Sequence, residues 1–566
     1  MPEPSAPGEP APSPDTVSAI ADRYVEELGR LDPVEAVRSG IGLDGVTLTD
    51  YSPDGRSARL AWLREVQASL QRTPPVDEAE RLGARYLLDE CAGQIELLEA
   101  RETDLLPSAL AGPPASVRMV FDLMDRSTPA SWEPVLARLR AVPDVMAGYR
   151  RSLEEAAADG PGVSRRLVFA LAEQCRTWGG SGDAEGGERS WFEQYVDGAG
   201  ADGPTARALP DAARAAGRAY GELADWLERE AVTSSRDVDG VGAERYGLWA
   251  RTMLGSAPDL DEAYAWGVEE WRRIDDERVA ECRRWWPGAS WDEVLAELAE
   301  PRRSLEGVDA YRGWLQDLTD AAVDGLDGVE FDIPIPLRRC VVSIPPAGSA
   351  AAPYYTSPSE DLSVPGRTWW PTLGAQRFSR WDKVTTVYHE AVPGHHLQAG
   401  AVALAPLTRA HRLAFLAGHG EGWALYAERL MDELGWFATP ETRLGFLASQ
   451  AFRAARVVID IGLHTGRPVP TGLPGAGTPW TPALARDAIA RAGGLSPAFA
   501  RSEVLRYLSW PAQATSYKLG ERTWLAGRDD AQRRAGAAFD RRAWHARALS
   551  LGALGLDALR DELGRC

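Results

Sequence analysis

Six of the seven histidines fall between His389 and His464, a 76-residue window in which even scatter would place about one. The densest part reads VYHEAVPGHHLQ. A His-Glu pair followed by another histidine on the same helix is how zinc hydrolases mount two imidazole ligands and a general base, because neutral imidazole binds Zn²⁺ and the adjacent carboxylate can take a proton from water. His389 and Glu390 are the candidates for those two roles. In the usual HExxH the histidines are four residues and about 40° apart around the helix; here His395 is about 120° off the face of His389 and His396 only about 20° off. Regular geometry favours His396. Pro393 and Gly394 intervene, however, and proline removes a backbone donor and clashes with the preceding turn, so a bulge there would bring His395 into line instead.

A third ligand needs a second helix. RLAFLAGHGEGWALYAERLMDELGWF carries Glu421 and Glu428 seven residues apart, on one face. A third helix, SQAFRAARVVIDIGLHTG, sets Arg456, Asp460 and His464 as a polar stripe through an apolar segment, placed to orient ligands or to contact substrate. Each piece has a plainer reading: a glutamate pair at this spacing can be a solvated face, and Arg456 with Asp460 a structural ion pair. His411 and His545 read as structural or surface residues.

Together these residues resemble a bacterial family known as domain of unknown function 885, whose signature runs HExxPGHHxQ and then EGWALYAE. The resemblance extends to ARVVIDIGLH (455–464), WPAQATSYKLG (510–520), the tyrosine pair Tyr354 and Tyr355, and more loosely GAERYGLW (242–249). It implies a fold similar to that of the thermostable metallocarboxypeptidases: a mainly α, elongated helical body with a deep cleft and a small β-sheet beside the metal-binding helix. It also implies a gluzincin-like Zn²⁺ site with His389, His395 and Glu421 as ligands and Glu390 as the base. Around it, Tyr517 is the candidate oxyanion donor, His396 and Glu428 are neighbours of the ligands, and Lys518 and Arg456 are candidates to hold a substrate carboxylate. The Tyr354/Tyr355 strand could take an extended peptide along its edge.

The rest of the chain must position these groups. Residues 15–330 read as a helical region forming one wall of the cleft, as in SAIADRYVEELGRL and DLDEAYAWGVEEWRRIDDERVAECRRW. Ser290 with Glu293 makes a capping box. Residues 331–566 read as the metal-site region, beginning with proline-broken, β-branched stretches near 329–372 that predict one short sheet. Thr439, Thr481 and Ser496, each followed by proline, predict helix starts, and 466–480 reads as a loop. Residues 1–14 read as a disordered, Pro-rich tail.

Bulk properties narrow the function class. A net charge of −21, with only Lys383 and Lys518 as lysines, argues against nucleic acid as a partner. Five scattered cysteines without CxxC spacing predict no disulfide framework and a cytoplasmic location. The opening residues show neither a basic nor an apolar leader segment, and no apolar run is long enough to span a membrane, so neither standard export nor membrane insertion is expected. The expected activity is a zinc-dependent, peptidase-like hydrolysis of a peptide or small amide. Its main alternative is a non-catalytic or metal-free binding protein that retains the cleft. A carboxylate-bridged di-iron enzyme would want Glu-x-x-His pairs, and none accompanies Glu421 or Glu428.

Overall fold

Hydroxyl side chains and prolines set where the helices of the C-terminal part begin. Thr439, Thr481 and Ser496 each accept a hydrogen bond from the backbone N–H three residues on, at 3.2–3.3 Å, and each is followed by proline in the first turn. These are the three predicted starts. Ser290 and Glu293 form the expected reciprocal capping box. The computed structural model describes residues 16–566 apart from 39–40, 42–46, 181–187, 346–351 and 361; the Pro-rich tail at 1–14 lies outside the described residues.

The protein is mainly helical, with two small sheets among the described residues. The long helices Val17–Leu31, Pro53–Arg72, Glu78–Glu99, Trp132–Asp159, Gly203–Arg229 and Leu260–Trp285 fill the first half of the chain. In the second half, Pro440–Thr465 is the central helix, with nearly every residue from Leu444 to His464 buried. The principal apolar core runs without interruption from Val34 to Leu563 and so joins both halves of the chain. A smaller core packs Val17, Ile20, Leu63, Leu87 and Ala410 beside it.

Strands are short, as the prolines predict. We number them β1 (Ser304–Glu306), β2 (Val341–Ser343), β3 (Tyr354–Thr356), β4 (Arg367–Trp369) and β5 (Arg377–Ser379). The order β2-β4-β3 forms the expected sheet, parallel on one side and antiparallel on the other, with β3 at its edge. A second sheet pairs β1 with β5, antiparallel, Leu305 opposite Phe378. Among the described residues the single expected sheet is therefore two, and β1 interrupts a stretch read as helical: three residues are too few to show a strand period, and they pair only with a strand some 70 residues on.

Two glycines set how closely the site helices approach. The helices Ala417–Glu433 and Gln513–Ala535 cross at Gly422 and Gly520, where a Cβ on Gly422 would lie 2.5 Å from the Gly520 backbone. This contact draws the helix of Glu421 against the helix of Tyr517. No helix among the described residues is long and apolar enough to cross a membrane.

Candidate metal centre

His389 and Glu390 end the helix Val384–Glu390, and His395 and His396 open the helix His395–Leu404. The expected bulge is in fact a complete break. Residues 391–394 turn the chain, and Gly394 is needed there because a Cβ would stand 1.9 Å from the His389 carbonyl oxygen. Counting 100° per residue from His389 thus loses its premise, and His396 does not join the centre. Its buried ring donates from Nε2 to the Leu337 carbonyl at 2.9 Å and accepts from the Tyr355 hydroxyl at Nδ1, 3.1 Å away. Burial lowers the pKa of His396, so the neutral ring these contacts require is the favoured form. His395 turns the other way, edge-on to His389 with ring centroids 4.9 Å apart.

Glu421 enters from the helix Ala417–Glu433. Its Oε2 lies 3.3 Å from Nε2 of His389 and 3.6 Å from Nε2 of His395. One ligand atom from each of the three residues falls within 4.8 Å of the others, the one such group among the described residues. Glu421 Oε2 is buried and has no geometrically sound hydrogen bond. Behind it, Glu428 Oε1 accepts from Nδ1 of His389 at 2.8 Å while Oε2 accepts from Thr385 at 2.5 Å. Two imidazole nitrogens, one carboxylate and a carboxylate behind the first imidazole match the donor set and outer support of a zinc site.

The electrostatics point the same way. Burial disfavours a charged His389, yet Glu421 and Glu428 outweigh it and raise the pKa to about 9. Burial also opposes ionisation of Glu421, and the two imidazoles overcome it, holding that carboxyl well below the usual range. The cluster thus draws positive charge to the point where its nitrogens and oxygen converge, which is the electrostatics a cation site needs. Glu390 differs: burial dominates and raises its pKa, as suits a group that must take up a proton.

His389, Glu390, His395 and Glu421 line a cavity of about 1940 Å³ together with Tyr354, Tyr355 and Tyr517. Residues from both halves of the chain enclose it, Tyr24, Trp62 and Tyr86 among them. The Tyr517 ring lies 6.3 Å from the His389 ring and nearly parallel to it, with the Arg456 guanidinium 4.6 Å from its centroid. Phe415, 65% exposed, stands beside His395 at the cavity lip.

Residues 33–563 match the model of a family described as bacterial protein of unknown function (DUF885). The chain belongs to this family. Among curated proteins, none matches it in sequence. Two solved structures are similar to it over nearly their whole length. One, from Colwellia psychrerythraea and named provisionally as a lipoprotein, is 22% identical with a TM-score of 0.81, covering 97% of this chain and 99% of its own. The other, from Shewanella oneidensis and named provisionally as a lipoprotein of unknown function, is 17% identical with a TM-score of 0.74 and the same coverage. At these identities the likeness establishes the fold.

Within this DUF885 member, Asp460, His464 and Lys518 serve elsewhere, whereas Arg456 lines the cavity. Asp460 accepts from the Tyr246 hydroxyl at 2.6 Å and the Ala512 N–H at 2.9 Å, and His464 donates to the Tyr507 carbonyl at 3.0 Å. Arg456 pairs with Glu503 at 2.8 Å, not with Asp460. Lys518 cannot hold a substrate carboxylate: Glu521, Glu270 and Gln450 already surround its ammonium group. His411 and His545 are structural, fully buried and bonded to the Ala553 carbonyl and to Tyr426. Sequence reading missed Thr385, Arg453, Glu503 and Arg506. Arg453 was findable, because Ser449 and Arg453 continue the Arg456-Asp460-His464 stripe toward the start of its helix.

Proposed function

We propose that this chain is a zinc-dependent, peptidase-like hydrolase of the metallocarboxypeptidase kind, with His389, His395 and Glu421 holding the ion. The observation that carries this reading is the convergence of two Nε2 atoms on one buried carboxylate oxygen that lacks a hydrogen bond of its own. A bound Zn²⁺ would supply Lewis-acid polarisation and a water of lowered pKa. Glu390 is the general base: it adjoins the ligand His389, lines the cavity, and has a carboxyl whose affinity for a proton burial has raised. Glu428 would keep the proton of the neutral, metal-binding His389 on Nδ1, leaving the Nε2 lone pair for the ion. The Tyr517 hydroxyl has no hydrogen-bond partner among the described residues and belongs to the cavity wall, where it can donate to a developing oxyanion.

A peptide is the better substrate class than a small amide. The cavity exceeds the roughly 300–1000 Å³ of small-molecule sites, and β3 presents an edge unpaired among the described strands, beside His395 and His396. The test is metal analysis of protein purified without chelator, followed by incubation with a peptide library read by mass spectrometry. Bound zinc together with Glu390-dependent cleavage supports the proposal. Zinc without cleavage, or neither, favours a binding protein that retains the cavity.

A further inference from the structure

We infer that a recess of the same cavity, formed by Tyr24, Tyr86 and Glu90, holds a primary ammonium group of the substrate, which would make the chain select peptides with a free N-terminus or a lysine side chain; the inference rests on the hydrolase reading and deepens it. All three residues line the cavity, beside Trp62 and Gln94. Tyr24 stands on the helix Val17–Leu31, while Tyr86 and Glu90 stand one turn apart on the helix Glu78–Glu99 and so share a face. The helix Pro53–Arg72 supplies Trp62, stacked on Tyr24 with ring centroids 4.9 Å apart. An aromatic wall of this kind attracts a cation.

Glu90 has no cationic partner among the described residues. Its side chain accepts one long hydrogen bond, from the Gln94 amide at 3.3 Å. Burial raises its carboxyl to about 7, Gln94 opposes that, and the neighbouring charge that bears on it, Glu35, is another acid. The two phenol oxygens are unpartnered as well. Tyr24 is 8% exposed and Tyr86 9%, yet neither hydroxyl makes a hydrogen bond with a described residue and neither is sealed off by protein, so both open into the cavity. Burial first, and the Glu90 charge next, hold both phenols well above their usual pKa, so each keeps its proton and offers its oxygen lone pairs. One carboxylate and two phenol oxygens are three acceptors, and a primary ammonium carries three donors. Its charge would also favour the ionised form of Glu90. The recess lies within a peptide's reach of the metal centre: Tyr86 stacks on His411 at 5.2 Å, Phe415 abuts His395, and the chain from His411 to Phe415 spans at most about 14 Å.

The test is a binding measurement, so it stands apart from turnover. Zinc-loaded Glu390→Gln protein is equilibrated with a mixture of hexapeptides, free or acetylated at the N-terminus and with or without one lysine, and the retained peptides are identified by mass spectrometry. Amine-bearing peptides are expected to be enriched about 10- to 100-fold over acetylated, lysine-free ones, as charge-assisted hydrogen bonds provide. Comparing free-N-terminal peptides with acetylated lysine peptides tells which amine is held. Adding Glu90→Gln keeps the shape of the side chain and should abolish the enrichment, and adding Tyr24→Phe with Tyr86→Phe should lower it, with zinc content and thermal unfolding followed in each variant. The net charge of −21 draws cationic peptides to the whole surface, so enrichment that survives Glu90→Gln overturns the inference, as does equal retention of amine-bearing and amine-free peptides. Should Glu90→Gln not fold, undiminished enrichment in the double tyrosine variant overturns it. Amine selectivity in a chain that cleaves nothing when Glu390 is intact would defeat the hydrolase reading alone. Cleavage of amine-free peptides as fast as amine-bearing ones would defeat the Glu90 inference alone.

Discussion

Nδ1 of His389 lies 2.8 Å from Oε1 of Glu428, and this contact decides which nitrogen of the imidazole faces Glu421. An ionised carboxylate can only accept, so when the ring gives up a proton, as a metal ligand must, the one it keeps sits on Nδ1 and the lone pair is on Nε2. Glu428→Gln keeps the shape but removes the charge and can present its amide N–H to the ring. Its zinc affinity should fall about 10- to 100-fold, the usual effect of losing such an outer partner, as read by competition with a chromophoric chelator. Unchanged affinity would reduce Glu428 to a packing residue.

Glu390→Gln should separate chemistry from binding. The variant keeps His389, His395 and Glu421, so its zinc content should equal that of the parent. Turnover of any substrate found should drop about 100- to 10,000-fold, the typical contribution of a positioned base. A variant that loses zinc would make Glu390 a ligand, and one that keeps full activity would remove it from the mechanism.

His395→Ala and His396→Ala should fail in different ways. The first should lose zinc and retain its fold. The second should retain zinc but lose stability, since it strands the buried Leu337 carbonyl; a buried unpaired group costs about 1–3 kcal/mol. Urea unfolding and metal analysis of both variants read the two effects, and a zinc-free His396→Ala would reverse the assignment.

Asp460 gives the stability a pH dependence. Burial pushes its carboxyl up to about 7, against the Tyr246 hydroxyl and the Ala512 N–H, which favour the charged form. In the unfolded chain the same group releases its proton near pH 3.9. Between about pH 4 and 7 the folded state therefore binds more protons, and this group's contribution makes stability fall as pH rises through that window. Asp460→Asn keeps an oxygen for both donors and has no proton to lose. Its stability should decline less than the parent's between those pH values in paired urea titrations; equal declines would contradict the assignment.

Much of this was legible from side-chain type and spacing. The caps at Ser290, Thr439, Thr481 and Ser496 are local interactions spanning three residues, so their letters suffice. The convergence of His389, His395 and Glu421 could be expected from the family motifs, because each motif carries its own ligand. What could not be read were contacts made far along the chain. His396 is claimed by Leu337, 59 residues earlier, and by Tyr355, 41 earlier. Lys518 looked available because two of its partners, Glu270 and Gln450, are brought to it only by folding. The break after Glu390 was signalled by Pro393 and Gly394, but its direction, which chooses between the two histidines, depends on how the following helix packs.

Zinc stoichiometry in the parent and in Glu421→Ala decides whether His389, His395 and Glu421 hold a metal. Both proteins would be purified without chelator, exposed to excess zinc, desalted, and assayed by plasma mass spectrometry, with circular dichroism to confirm that each is folded. One zinc per parent chain and essentially none in Glu421→Ala are expected. A folded parent that binds no zinc, or a Glu421→Ala variant that still holds one equivalent, would contradict that metal assignment.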